Sequence, residues 1–261
     1  MDEHAEKDKK YHADIAEVYD YITNEPRHYA NELLFRPIDR KLEAAGTLLD
    51  LGCGTGQMFL RYAHLAQKII AVDHSAEMLA VAKKKAKASG LGNISFVEQE
   101  LTEFLDLNTQ LQVDLVTCVG VLHHLNQEGL AEVLTRIHSL LAPSGQLVLA
   151  EPIYSSKTPA IVQKRNARSI LIPRLAECMP PGTSDPDEAP LRETELLDAI
   201  QRAGFVCIRQ SKGFEMFQVT EPLKLSEKIL MKLIYSVYGS RGDVIALLLR
   251  RGPRVSPSDP V

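Results

Sequence analysis

The chain has 261 residues, with 30 Lys and Arg against 34 Asp and Glu for a formal net charge of −4, and it is 45% hydrophobic and 25% charged. That acidic balance lacks the basic footprint of a generic nucleic-acid binder, so no DNA partner is expected and RNA is disfavoured. The composition is that of an ordinary globular protein of roughly one to two domains, without the ~18–20-residue apolar run of a membrane span, and the charged start MDEHAEKDKK lacks the apolar core of a secretion signal, so a soluble, cytoplasmic protein is expected.

In chain order, residues 1–45 are polar and then amphipathic. Ile15, Val18, Tyr19 and Ile22 recur at three- and four-residue steps, so YHADIAEVYDYI reads as a helix. From residue 47, short apolar runs alternate with longer amphipathic stretches, the pattern of βα units around a parallel sheet. Strands are expected at Thr47–Leu51, Lys68–Val72, Ile94–Val97, Asp114–Val119 and Gln146–Ala150, with helices near Met58–Ala66, Ala76–Ser89 and Glu128–Leu141. In LLAPSGQ, Pro143 and Gly145 supply a helix stop and a turn. After a gap of about 40 residues, RETELLDAIQRAGF gives a helix feeding a strand at Val206–Gln210. A last strand, Asp243–Leu249, follows a long connection and is expected to return antiparallel beside the sixth. The fold class is therefore α/β, a doubly wound, Rossmann-like, seven-stranded sheet. The tail GPRVSPSDPV is expected to be disordered.

The cysteines at 53, 118, 178 and 207 form no CxxC pair, so neither a zinc site nor a disulfide framework is expected, and they read as reduced, buried thiols. No metal site is expected elsewhere.

The most informative stretch is LLDLGCGTGQ, where the first strand turns into a helix. Gly52, Gly54 and Gly56 let the backbone turn sharply and approach a ligand closely, and the helix N-terminus favours anionic groups. A dinucleotide-binding loop is the competitor, but its third glycine would stand where Gln57 is, and an apolar residue is expected where Asp50 is. Asp50 suits a ligand with a positive amino group. Asp73, which lies 17 residues after the last glycine at the end of the second strand, can accept both hydroxyls of a ribose.

LDLGCGTG, VDHSAEML, FVEQE, VDLVTCVGVLHHL and LLAPSGQLVLAEP, in that order, resemble the class I S-adenosylmethionine-dependent methyltransferases, close to the broad ubiquinone/menaquinone-biosynthesis type group of small-molecule enzymes. The resemblance covers about residues 45–152 strongly and RETELLDAIQRAGF more loosely. It implies S-adenosylmethionine as cofactor, S-adenosylhomocysteine as product, and roles residue by residue. Gly52, Cys53 and Gly54 would line the methionine portion, with Gly56 completing the loop and Asp50 holding the amino group. Asp73 would bind the ribose, and His74 and Met78 would flank the adenine. Glu100 and Leu101 stand where the family has an acid and its neighbour near the adenine amino group; the usual acid is Asp, so Glu100 is a departure. Val119 and Gly120 would sit beside the sulfonium, and Tyr11 and Tyr19 would either close over the cofactor as a lid or pack in the core.

Methyl transfer is a displacement at an already activated centre, so a base is needed only when the acceptor must lose a proton. His123, His124 and Glu151, at the carboxyl ends of the fourth and fifth strands, are the catalytic candidates, with structural roles as the alternative. The resemblance also narrows the acceptor. The Asn/Asp-Pro-Pro-aromatic motif of amide and exocyclic nitrogen methylation is absent, as are the Pro-Cys nucleophile of cytosine methylation and the cysteines of arsenite methylation. A small-molecule acceptor, methylated on oxygen, carbon or nitrogen and hydrophobic or anionic, is expected; the alternatives are an RNA or protein methyltransferase and a non-catalytic cofactor-binding regulator.

The expected organisation is an N-terminal helical lid (1–45), a methyltransferase domain (46–251) with insertions at 153–191 and 211–242, and a flexible tail (252–261). The first insertion holds Lys157, Lys164, Arg165, Arg168 and Arg174, either a solvated face or a site for an anionic acceptor. The second predicts a helix from Pro222 to Tyr238 with Leu225, Ile229, Leu230, Leu233, Ile234 and Val237 mainly on one face and a stripe of Lys224, Lys228 and Lys232. Packing of that face on the domain is the favoured expectation, with peripheral membrane contact through 222–238 as the alternative. KKKAK at 83–87 is expected to be a solvated charged face.

Overall fold

The computed structural model describes residues 3–125, 127–157, 190–214 and 224–252 of the protein. In chain order these are α1 (Glu3–Ile15), a π-helical turn (Asp20–Asn24), α2 (Glu25–Asp39), β1 (Ala45–Leu51), α3 (Gln57–Tyr62), β2 (Ala66–Asp73), α4 (Ala76–Ala88), β3 (Ile94–Glu98), α5 (Leu101–Leu107), β4 (Val113–Val119), a 3-10 turn (Leu122–His124), α6 (Gln127–Leu140), β5 (Leu141–Tyr154), β6 (Leu191–Arg192), α7 (Glu193–Arg202), β7 (Phe205–Gly213), α8 (Leu225–Tyr238) and β8 (Val244–Arg251). The sheet runs β3-β2-β1-β4-β5-β8-β7, with β6 beside β5. β1 to β5 are parallel, and β8 is antiparallel to both β5 and β7.

Alternation along each strand divides the core between two layers. Leu49, Leu51, Val116, Cys118, Leu147 and Leu149 face α5, α6 and α7, while Leu48, Leu115, Val148 and Leu248 face α2, α3 and α4. Because both faces are covered, the central strands read as continuous apolar runs. Each fully buried Leu or Val contributes about 1.5–3 kcal/mol against exposure.

All seven expected strands are found, and the last returns antiparallel between β5 and β7. LLAPSGQ does not separate α6 from β5 by a loop: Val113 pairs with Leu141 and Leu115 with Gln146, so Pro143–Gly145 forms an irregularity inside a longer strand. The helix expected to Ala66 ends at Tyr62, because a 3-10 turn at Ala63–Leu65 leads directly into β2. α5 and the two-residue β6 carry too short a pattern to be placed from sequence.

Residues 1–45 divide in two. Leu34, Phe35 and Ile38 of α2 lie in the core beneath the sheet, held also by hydrogen bonds from Arg61 and Tyr62 to Asp39. α1 instead lays Tyr11 and Ile15, with Ala16 just beyond its end, over Met78 of α4. Cys53 and Cys118 are buried as expected, whereas Cys207 is exposed because β7 is an edge strand. Cys178, Lys164, Arg165, Arg168, Arg174, residues 253–261 of the tail and most of the 153–191 insertion lie outside the described residues.

Candidate functional site

The site is built at the carboxyl ends of β1, β2, β4 and β5. After β1, Gly52, Gly54 and Gly56 all take left-handed φ values, +64°, +51° and +94°. They serve two purposes. A Cβ on Gly52 would stand 2.4 Å from Val121 Cγ2, and one on Gly56 2.4 Å from Phe59 Cζ, so these two are glycine to let the loop close on the domain. At Gly54 a Cβ would meet nothing within 4 Å, and at Gly120 (φ +68°) the nearest atom, His123 Cε1, is 4.0 Å away. Those two present bare backbone to open space.

Asp50 holds this loop from below. It is 1% exposed, accepts from Thr117 Oγ1 at 2.6 Å and from the Phe59 N–H at 3.0 Å, and so caps α3, whose N-cap Gly56 has no side chain to do it. Burial raises its carboxyl to about 7, with the nearby Asp73 charge adding to the rise and the bonds from Thr117 and Phe59 opposing it. Cys53, buried in the same layer, has its thiol pushed well up by desolvation, and then by the Asp50 and Asp73 charges, so it is no nucleophile. Asp73 is half-buried, accepting from Gly54 N at 2.7 Å and from Ser75 N at 2.9 Å, which locks the loop to the end of β2. Ser75 in turn caps α4 through Met78 N.

The N-terminal segment fastens onto this platform. Asp20 accepts from Thr55 Oγ1 at 2.7 Å and pairs with Lys85 at 2.6 Å, and Lys84 pairs with Glu17 at 2.7 Å. Part of the 83–87 lysine run therefore anchors the N-terminal segment. Met78 lies under α1, 2% exposed, and Tyr19 is partly buried in the same cluster. His74 faces Glu100 with 3.8 Å between Nδ1 and Oε1, at the start of α5, and Leu101 packs on the core. Val119 is half-buried at the end of β4.

Glu151, 1% exposed on β5, accepts from Val121 N at 3.0 Å and Leu122 N at 2.8 Å, and its second oxygen lies 2.8 Å from His123 Nδ1. An ionised carboxylate only accepts, so His123 carries its proton on Nδ1, leaving Nε2 as an acceptor. His123 stacks on His124, with centroids 4.1 Å apart, and His124 Nδ1 is 3.4 Å from Asp8 Oδ1 of α1. His12, one turn after Asp8, places its Nδ1 3.1 Å from the same oxygen. Burial raises the Asp8 carboxyl, but the hydrogen bond with His12 and the charges of His124, His12 and His74 outweigh it and hold the group at about 2.

Residues 48–145 match the methyltransferase domain family. Over those residues the chain carries a methyltransferase domain. It is 33% identical over 152 residues to the carboxy-S-adenosyl-L-methionine synthase of Campylobacter jejuni, covering 56% of this chain and 63% of that protein. It is 27% identical over 134 residues to the putative methyltransferase YqeM of Bacillus subtilis, covering 51% of this chain and 52% of that one. The chain thus spans between about half and two thirds of these relatives. The DhpI–SAH complex shares the fold with a TM-score of 0.64 at 19% identity, over 95% of this chain and 97% of that one.

In this methyltransferase domain, Asp50, Gly52, Cys53, Gly54, Gly56 and Asp73 form one unit, and His123 and Glu151 form another across Gly120. His124 turns instead toward α1. Asp8 and His12 escaped the sequence reading. Their i, i+4 spacing on a helix places them on one face, but nothing local indicates which loop that face meets.

Proposed function

We propose that the protein transfers a methyl group from S-adenosylmethionine to a small-molecule acceptor, at oxygen, carbon or nitrogen. The observation that carries this is the bare, left-handed backbone of Gly54 and Gly120 opening beside the fixed Asp73 carboxylate. The cofactor supplies an electrophilic methyl on a good leaving group, so rate rests mainly on alignment and exclusion of water. Asp73 keeps spare lone pairs for two ribose hydroxyls, and the Gly52–Gly54 backbone lines the methionine portion. His74, Glu100 and Leu101 wall the adenine side, with Met78 supporting it from beneath α1, and Val119 and Gly120 leave room at the sulfonium. Asp50, already bonded to Thr117 and Phe59, acts on the amino group chiefly by holding the loop. His123, oriented by Glu151, takes the acceptor's proton at Nε2 where one must leave. Tyr19 and α1 cover the pocket.

Titration calorimetry with S-adenosylmethionine and S-adenosylhomocysteine tests the cofactor assignment, and no binding to the wild type refutes it. Incubation with methyl-labelled cofactor and a metabolite extract tests the acceptor class. Label in small organic-soluble products is expected; label only in RNA or protein supports a macromolecular acceptor, and binding without any transfer a regulatory role.

A second observation bears on where an apolar acceptor is collected. α8 docks on α2 through Met231 and Tyr235, yet Leu225, Ile229, Leu230, Leu233 and Val237 are 51–74% exposed, beside Lys224, Lys228 and Lys232. The expected packing of its apolar face on the domain is not what is found. Four of these residues recur at i, i+4, i+8 and i+12 in a stripe suited to lie in the interface of an anionic membrane. No described helix is long and apolar enough to cross one. Co-sedimentation with phosphatidylglycerol vesicles, lost on adding salt or on Leu233→Glu, is the expected result.

A further inference from the structure

We propose that Asp8, His12 and His124 form a site for one divalent transition-metal ion that pins α1 to the carboxyl edge of the sheet. Each residue offers one ligand atom, and the three atoms lie within 4.8 Å of one another. The separations from Asp8 Oδ1 are 3.1 Å to His12 Nδ1 and 3.4 Å to His124 Nδ1. A tetrahedral ion with bonds of about 2.0–2.1 Å spaces its ligands by about 3.3 Å, which the two separations from Asp8 Oδ1 already match; on binding, the two imidazoles would close to that spacing and His12 Nδ1 would give up its 3.0 Å contact with the Asp8 carbonyl oxygen. Asp8 is 6% exposed, and its buried Oδ1 is the atom shared between the two imidazoles. A carboxylate buried that deeply needs a positive partner.

Two imidazoles and one carboxylate are a donor set for zinc, iron, cobalt or nickel, whereas magnesium and calcium favour oxygen ligands throughout. Asp8 and His12 come from one face of α1 and His124 from the turn after β4, so the ion would bridge two elements distant in sequence. Neighbouring rings frame the site: His12 lies 6.2 Å from Tyr19 and 6.5 Å from His74, and His123 stacks against His124. Three protein ligands leave a position for water or an incoming oxygen atom. This assignment stands on the cluster alone and does not depend on methyl transfer.

The test uses the full chain stripped with a chelator. Calorimetry with Zn2+ should show one site per chain, and titration with Co2+ should develop the visible ligand-field bands of a four- or five-coordinate ion. Asp8→Asn, His12→Gln and His124→Gln should each weaken Zn2+ binding tenfold or more, while His64→Gln, an exposed histidine on the 3-10 turn before β2, should leave it unchanged. Circular dichroism in chelator establishes that each variant is folded, and α1 variants are the decisive ones because the sheet does not depend on them. Absence of stoichiometric binding, binding indifferent to the three substitutions, or equal loss in His64→Gln would overturn the proposal. In those cases the cluster is an ion pair of Asp8 with protonated histidines.

Discussion

Glu151 serves the turn after β4 and the ring of His123 at once, and two substitutions separate those roles. Glu151→Ala leaves the N–H groups of Val121 and Leu122, now bonded at 3.0 and 2.8 Å, without their acceptor in a buried place. An orphaned buried donor costs about 1–3 kcal/mol, so the pair amounts to about 4 kcal/mol. For a chain of this size that lowers the melting temperature by about 8–16 °C. Glu151→Gln keeps one oxygen that can accept both N–H groups, and it loses only charge assistance, about 1–2 kcal/mol. Its amide NH2 then faces His123 Nδ1 and forces the proton to Nε2, so the proposed base is lost although the turn survives. Scanning calorimetry should therefore rank Ala well below Gln. Nitrogen chemical shifts of His123 should report an Nδ1–H tautomer in the wild type and an Nε2–H tautomer in Glu151→Gln. Turnover of an acceptor that must lose a proton should fall in both, by about 10²–10⁴-fold. A melting temperature for Glu151→Ala within 1 °C of wild type, or an Nε2–H tautomer in the unaltered protein, would refute this account of the site.

Gly54→Ala should cost about 1–2 kcal/mol for its left-handed backbone yet abolish S-adenosylhomocysteine binding in calorimetry, whereas Gly52→Ala, which also drives a Cβ into Val121, should lower stability by about 2–4 kcal/mol. Equal effects on binding and stability at Gly54 would argue against an open cradle there. With its carboxyl raised to about 7 in the fold, Asp50 holds a proton there that the unfolded chain has already released, so stability falls as pH rises from about 4 toward 7. Between pH 5.5 and 7 that loss is about 2 kcal/mol, and thermal melts of Asp50→Asn should lack it. Asp73→Ala should weaken cofactor binding in the same calorimetry, and unchanged affinity would remove the ribose assignment.

The sheet was legible because burial on both faces of parallel strands leaves continuous apolar runs, and because three glycines bracketed by Asp50 and Asp73 have few physical uses. What stayed hidden depends on contacts between distant segments. The four-residue step from Asp8 to His12 is visible in the sequence, but its meeting with His124 is not. Nor does amphipathicity say whether a face is covered: the apolar positions of α8 read like core, and only Met231 among its aliphatic side chains is fully buried. The roles of Asp50 and Glu151 were half legible. Their place at strand ends pointed to a ligand, yet each first satisfies backbone N–H groups of the loop it supports.

β8 is wedged between β5 and β7, pairing with both along nearly its whole length. While the chain is being made, β7 has no place in the sheet until the strand that follows it has emerged. The half built from β1 to β4, with the glycine loop and Asp73, has no such dependence. Trimming the chain within Val244–Arg251 should therefore do more than fray an end: it would release β7 and α7 together and expose the flank of β5, a bare strand edge open to pairing with another molecule.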